Sequence, residues 1–202
     1  MWNPFRRKPP RPLRYWADEE ALWEERLAAL EALYGKSHDT VLHAVVPFFL
    51  GYDAGGAADV VFFQSHIPGQ LAVTADLIGC DDQKPNALGN YELAIAHCDG
   101  AENWRPELIS LLAYSTLDEA LEPGHTMEVR PSVPEGSTIE ALMFFDYGSF
   151  LLRDHPCGVL LCVGLTRDET AACLAGRREE VEDALKTRAV FPYTDLTRES
   201  VV

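Results

Sequence analysis

The sequence predicts an α+β domain with a mixed, mostly antiparallel central sheet and flanking helices. Three observations lead there. Helix-like and strand-like runs follow one another as helix, several strands, helix, strands, helices, with no regular βαβ alternation. The chain has 202 residues, the length of one ordinary domain with a full hydrophobic core. Its composition, 47% hydrophobic and 24% charged, excludes a collagenous, coiled-coil or wholly disordered chain.

Residues 1–16 read as a basic, Pro-rich, disordered arm, and residues 17–202 as the folded domain. Pro9, Pro10 and Pro12 forbid a helix interior and favour extended, solvated backbone. The first helix follows: Asp18 can cap it, Trp23, Leu27, Leu30 and Tyr34 recur on one stripe, and Gly35 supplies a left-handed stop. Short β-rich runs come next at Val41–Leu50, Ala58–Ser65, Gln70–Ile78 and Tyr91–His97. Gly55-Gly56, Pro68-Gly69 and the polar stretch 79–90 separate them. A second helix should begin near Trp104, with Pro106 tolerated in its first turn and Leu108, Leu111, Leu112 and Leu117 on its apolar face, and end by Pro123-Gly124. Further strands are expected at His125–Arg130, Ile139–Phe145 and Gly158–Leu165. Met143-Phe144-Phe145 is too apolar for an exposed edge. Thr166-Arg-Asp-Glu169 has the form of a capping box, so a helix starts there and ends by Gly176. Glu179–Arg188, with Val181 and Leu185 four apart, predicts another.

Charge narrows the partners. Thirty-two acids face seventeen bases, for a formal net charge of −15. Arg6, Arg7, Lys8, Arg11 and Arg14 all lie in the arm, whereas residues 37–152 hold seventeen acids and only Lys84, Arg105 and Arg130 as bases. Such a chain repels phosphate backbones and anionic lipids, which argues against nucleic acid and membranes as ligands. No apolar run approaches the roughly 20 residues that span a bilayer, and residues 1–14 lack the apolar stretch of an export signal. Five cysteines, an odd number without CxxC spacing, read as reduced thiols in a cytoplasmic protein, with Cys162 a buried apolar residue.

Motifs for chemistry are missing. There is no GxSxG, GxGxxG, phosphate loop or HExxH. Ser65 and His66 are adjacent, so on a strand they point to opposite faces and form no dyad. No catalytic residue, metal or cofactor is assigned. Aromatics at Phe48, Phe49, Tyr52, Trp104, Tyr147 and Phe150 fall near element ends; Phe48, Phe49 and Trp104 read as core.

The ordered signals nonetheless resemble one family. Gln70-Leu-Ala-Val-Thr74, Tyr91-Glu-Leu-Ala-Ile95, Trp104 with Pro106-Glu107-Leu108 ahead of Pro123-Gly-His125, Ala141-Leu-Met-Phe-Phe145, Val159–Leu165 with Thr166-Arg-Asp-Glu169, and Asp195-Leu-Thr-Arg198 resemble, in order and spacing, the suppressor-of-fused (SUFU) domain. The likeness runs from Tyr34 to Arg198. Where the family often has Gly-Met-Ser after its Leu-Val-Thr strand, this chain has Ala75-Asp76-Leu77.

The resemblance implies an α+β domain that binds proteins and catalyses nothing. A stand-alone domain is similar to bacterial members, which are inferred to be immunity proteins of polymorphic toxin systems. Charge complementarity fits that role, because a toxin that attacks nucleic acid is commonly basic and an acidic inhibitor speeds its own capture. Asp53, Asp81, Asp82 and Tyr147 are the candidate interface residues, an aromatic anchor beside carboxylates. Two readings stay open: a hydrolase or transferase with a site assembled from scattered His, Cys and Asp, for which His43, His66, His97 and His125 would have to converge, and an acidic scaffold or homodimer.

Overall fold

A computed structural model describes residues 19–48, 56–98, 104–130 and 132–202; the predicted arm, Asp18, Phe49, Tyr52 and Asp53 lie outside them. The elements in chain order are α1 (Glu19–Tyr34), β1 (Ser37–Leu42), β2 (Val60–Phe63), β3 (Gln70–Thr74), β4 (Asn90–His97), α2 (Trp104–Leu112), α3 (Ser115–Asp118), β5 (Thr126–Glu128), β6 (Ile139–Leu152), β7 (His155–Thr166), α4 (Arg167–Leu174) and α5 (Arg178–Thr187). The strands form one sheet in the order β1-β2-β3-β4-β7-β6-β5. Every neighbouring pair is antiparallel except β4 and β7. This is the α+β class with a mixed sheet that the sequence predicts.

Strand alternation explains the layering. In β6, Ala141, Met143 and Phe145 join one buried cluster with Leu30 and Tyr34 of α1, Ala172 of α4, and Val181 and Leu185 of α5. Leu142 and Phe144 point the other way, into a second cluster with Leu108, Ile109 and Leu112 of α2. Helices therefore cover both faces, and β6 lies between β5 and β7, where Met143-Phe144-Phe145 is buried rather than at an edge.

Several predicted boundaries move for identifiable reasons. The first strand is Ser37–Leu42 rather than Val41–Leu50, because beyond Leu42 the chain turns to Asp59: the Ala44 amide donates to its Oδ1 at 2.8 Å and His43 Nδ1 sits 2.7 Å from its Oδ2. β2 keeps only Val60–Phe63 of the predicted Ala58–Ser65. β3 stops at Thr74 rather than Ile78, since the Leu77 and Ile78 amides donate to Glu92 instead of a neighbouring strand. The helix predicted from Trp104 towards Pro123 divides into α2 and α3. At the break, the Tyr114 hydroxyl reaches the Gly56 carbonyl, and the Thr116 hydroxyl donates to Ala113 O at 2.7 Å in competition with the helical ladder. β6 runs well past the predicted Phe145, to Leu152, and returns through Arg153-Asp154, both at positive φ, into β7.

Two buried clasps fix this framework, and both join segments that carry the family resemblance. Glu92, fully buried in β4, accepts from the Thr74 hydroxyl at 2.6 Å, from the Ile78 amide at 2.9 Å and from the Leu77 amide at 3.2 Å, with Arg26 of α1 3.8 Å away. Arg26 in turn donates to Ile78 O, so α1, β4 and the turn after β3 are tied at one point. Glu169, at the third position of α4, accepts from the Thr166 amide at 2.8 Å, the carboxylate half of a capping box. It also receives Arg198 on both oxygens at 2.5 Å and the Val201 amide at 2.9 Å. The C-terminal segment is thereby anchored beside β7.

Candidate protein-interaction surface

Tyr147 is the candidate residue that the fold places in a defined setting. The β6–β7 register slips between Asp146 and Gly148, and such a bulge re-aims the side chain within it. Gly148 permits α1 to come close there, since a Cβ would lie 3.0 Å from the Tyr34 hydroxyl and 3.1 Å from Leu33 Cδ1. The Tyr147 ring stacks on Tyr34 at 5.7 Å between centroids, meets His66 edge-on at 5.6 Å and meets Phe191 at 6.2 Å. Its hydroxyl lies 3.2 Å from His66 Nε2. Four parts of the chain thus converge: the end of α1, the β2–β3 turn, the β6 bulge and the segment after α5. Tyr34 is buried, Tyr147 and Phe191 are half-buried and His66 is exposed, so the cluster grades from core to surface.

Its electrostatics are simple. Burial, with the neighbouring Tyr147 and Asp146, pushes the Tyr34 phenol upward, and burial does the same for Tyr147. Burial lowers His66, which favours the neutral ring. At neutral pH the aromatic group is uncharged, and the exposed carboxylate of Asp146 stands at its edge. An apolar anchor bordered by a carboxylate suits an interface.

Asp81 and Asp82 are exposed in the connection from β3 to β4. The later part of that connection packs against α3 and the second cluster: the Lys84 amide donates to Thr116 O at 2.7 Å, and Cys80 and Leu88 lie against that cluster. The ring partners of Tyr147 come from α1, the β2–β3 turn and the C-terminal segment, so the structure does not bring Asp81 and Asp82 to Tyr147. Tyr34 and Phe191 are site residues that the sequence did not single out; Tyr34 carried only a helix-stripe signal, and Phe191 no pattern at all.

The four histidines that a hydrolytic reading needs together are apart. His43 faces Asp59, His66 faces Tyr147, His97 Nε2 lies 3.1 Å from Gln70 Oε1, and His125 Nδ1 lies by the Glu122 amide. Among the described residues no three His, Cys, Asp or Glu side chains are placed to hold a metal ion. A cleft of about 690 Å³ opens between Gly124–Thr126 and the α4–α5 junction, but its Arg177 and Arg178 are already paired with Glu180 and Glu182. The remaining aromatic expectations divide. Phe48 is core, Trp104 is half-buried with its indole donating to Ser132 O, and Phe150 is half-buried. Cys162 is fully buried as expected. Among the described residues no helix is long and apolar enough to cross a membrane.

No family model matches this sequence, and no curated protein matches it. Solved structures do. The SUFU homolog from Neisseria gonorrhoeae FA 1090 superposes with a TM-score of 0.64 at 17% identity, covering 91% of this chain and 98% of that one. A chain of the Sufu–Fu complex superposes with a TM-score of 0.70 at 12% identity, covering 90% of this chain and 91% of that one. The fold is therefore that of the suppressor-of-fused domain. The resemblance read from six short segments is matched over about nine-tenths of the chain.

Proposed function

We propose that this chain is a non-enzymatic protein-binding domain of the immunity type, which neutralises a basic toxin. The observation that carries the reading is the aromatic cluster around Tyr147, open to solvent at His66 and bordered by Asp146, on a chain of net charge −15. The neighbour solved as a complex, Sufu with Fu, supports protein binding as the use of this fold. Tyr147 supplies the anchor, and Asp81, Asp82 and Asp53 add to the negative field that steers a basic partner. Neither a cofactor nor a metal enters this reading.

The test is calorimetric titration of the chain with a basic protein that co-purifies with it from the native cell, at 50 and 500 mM salt. Affinity should fall at least tenfold at the higher salt, and Tyr147→Ala should weaken binding at least tenfold at either. A salt-independent affinity that Tyr147→Ala leaves unchanged would refute the proposal.

A further inference from the structure

One end of the sheet carries a row of ionisable side chains that runs from solvent to the core. Leu42 of β1 lies across from Val60 of β2, and Val60 lies across from Thr74 of β3. The residues just beyond this line are therefore neighbours: His43 after β1, Asp59 before β2 and Asp76 after β3, with Glu92 next on β4. Contacts link the first three in that order. His43 Nδ1 sits 2.7 Å from Asp59 Oδ2, the Ala44 amide donates to Asp59 Oδ1 at 2.8 Å, and the Asp59 amide donates to Asp76 Oδ1 at 3.1 Å. Exposure falls along the row, from 68% for the His43 side chain to 20% for Asp59 and 0% for Glu92.

Three carboxyls thus share one interior base. Arg26 of α1 lies 3.8 Å from Glu92. Cys157 of β7 faces the same two groups, but burial raises its thiol to about 11 and keeps it neutral. Burial raises both Asp76 and Glu92, and their donors decide which of them holds a proton. Glu92 accepts from Thr74, Leu77 and Ile78 and faces Arg26, whereas among the described residues Asp76 accepts from the Asp59 amide. The proton therefore rests on Asp76. Burial and the charges of Glu92 and Asp59 push its carboxyl up to about 8, against the pull of Arg26 and the Asp59 amide. When that proton leaves, Asp76 becomes a like charge beside both other acids. Glu92 is fully buried and tied by three donors, so it stays. The Asp59 side chain, held by His43 and the Ala44 amide and bordering water, is the member that turns out.

We infer that this row is a proton-operated clasp on the exit from β1: protonated Asp76 leaves Asp59 bound to His43 and Ala44, and loss of the proton expels the Asp59 carboxylate into solvent and frees residues 43 and 44. β1 is an outermost strand of the sheet, so the clasp loosens an edge while the core stays closed. It is closed on the acid side of the Asp76 titration and open on the alkaline side.

Solvent exchange of the Ala44 amide, followed by NMR on the isotope-labelled full chain between about pH 6 and 9, reads the clasp. Base-catalysed exchange of every amide rises with pH, so the quantity measured is protection relative to an unstructured peptide. In the unaltered chain it should fall at least tenfold across that range. The Thr194 amide, which donates to Ala96 O near the other end of β4, should keep its protection. Asp76→Asn retains an acceptor for the Asp59 amide and takes no charge, so Ala44 should stay protected throughout. Asp59→Asn should also abolish the pH response, because an amide in its place is not repelled, and it serves if Asp76→Asn disturbs folding. Constant Ala44 protection in the unaltered chain, an equal fall in either variant, or a parallel loss at Thr194 would overturn the inference.

Discussion

Arg198 offers the sharpest test of how this fold is held. Its guanidinium grips both oxygens of Glu169 at 2.5 Å and donates to Gly164 O at 2.7 Å, with the carboxylate side chain fully buried and the arginine side chain 7% exposed. Arg198→Met removes the cation and leaves the carboxylate buried with only the Thr166 and Val201 amides. Breaking a buried pair from one side costs about 3–5 kcal/mol. For a domain of this size that lowers the melting temperature by roughly 10 °C. Denaturant unfolding followed by circular dichroism measures it. Glu169→Gln/Arg198→Met leaves no stranded charge, though the single amide oxygen can accept from only one of the Thr166 and Val201 amides, so it should recover part of the single variant's loss, at least ~1 kcal/mol. The pH dependence has a definite sign. Burial pushes the Glu169 carboxyl up, but the hydrogen bonds from Arg198 and the two amides outweigh it and hold the group below its ordinary value of 4.5. The unfolded chain then binds a proton first as pH falls, so the clasp contributes fully at pH 7 and is lost as pH drops below about 4.5 through the folded value. The gap between the unaltered chain and Arg198→Met should narrow over that range. A loss under ~1 kcal/mol at pH 7, or a double variant as unstable as the single one, would refute the reasoning.

Asp76 should behave in the opposite sense. Burial and the charge of Glu92 push its carboxyl up to about 8, so the folded chain holds a proton that the unfolded chain has released, and stability falls as pH rises from about 4 to 8. Asp76→Asn, which keeps an acceptor for the Asp59 amide, should be more stable than the unaltered chain by about 1–3 kcal/mol at pH 8 and equal to it near pH 4. Urea titrations at the two pH values check this, and an unchanged difference between them would count against it. Thiol labelling should follow burial: Cys98 is exposed and reacts first, whereas burial raises both Cys157, to about 11, and Cys162. With an aromatic disulfide reagent at pH 8, Cys157 and Cys162 should stay unlabelled until the chain is denatured, and prompt labelling of either would show that the sheet opens.

Legibility in the sequence followed the range of the forces involved. Helices α1, α4 and α5 were readable because their signals are local: Gly35 at a left-handed stop, Glu169 three residues after Thr166, and Val181 and Leu185 four apart. β4, β6 and β7 announced themselves as apolar runs because both faces of the sheet are covered. The errors fell where a distant side chain overrode local preference. Asp59 pulled residues 43 and 44 from the ladder, and Glu92 ended β3.

For the candidate surface the division is sharper. Tyr147 drew notice as an aromatic near acids in a negative chain, but its pairing with Asp81 and Asp82 rested on charge alone, and the rings the fold sets against it are Tyr34, His66 and Phe191. Composition, charge and short-range spacing settle what a chain is made of and where its regular elements begin, since those depend on neighbours within a few residues. Which side chains meet depends on bulges, twist and contacts between segments as far apart as 113 residues for Tyr34 and Tyr147. Only the tertiary fold brings Tyr34, His66, Tyr147 and Phe191 to one place.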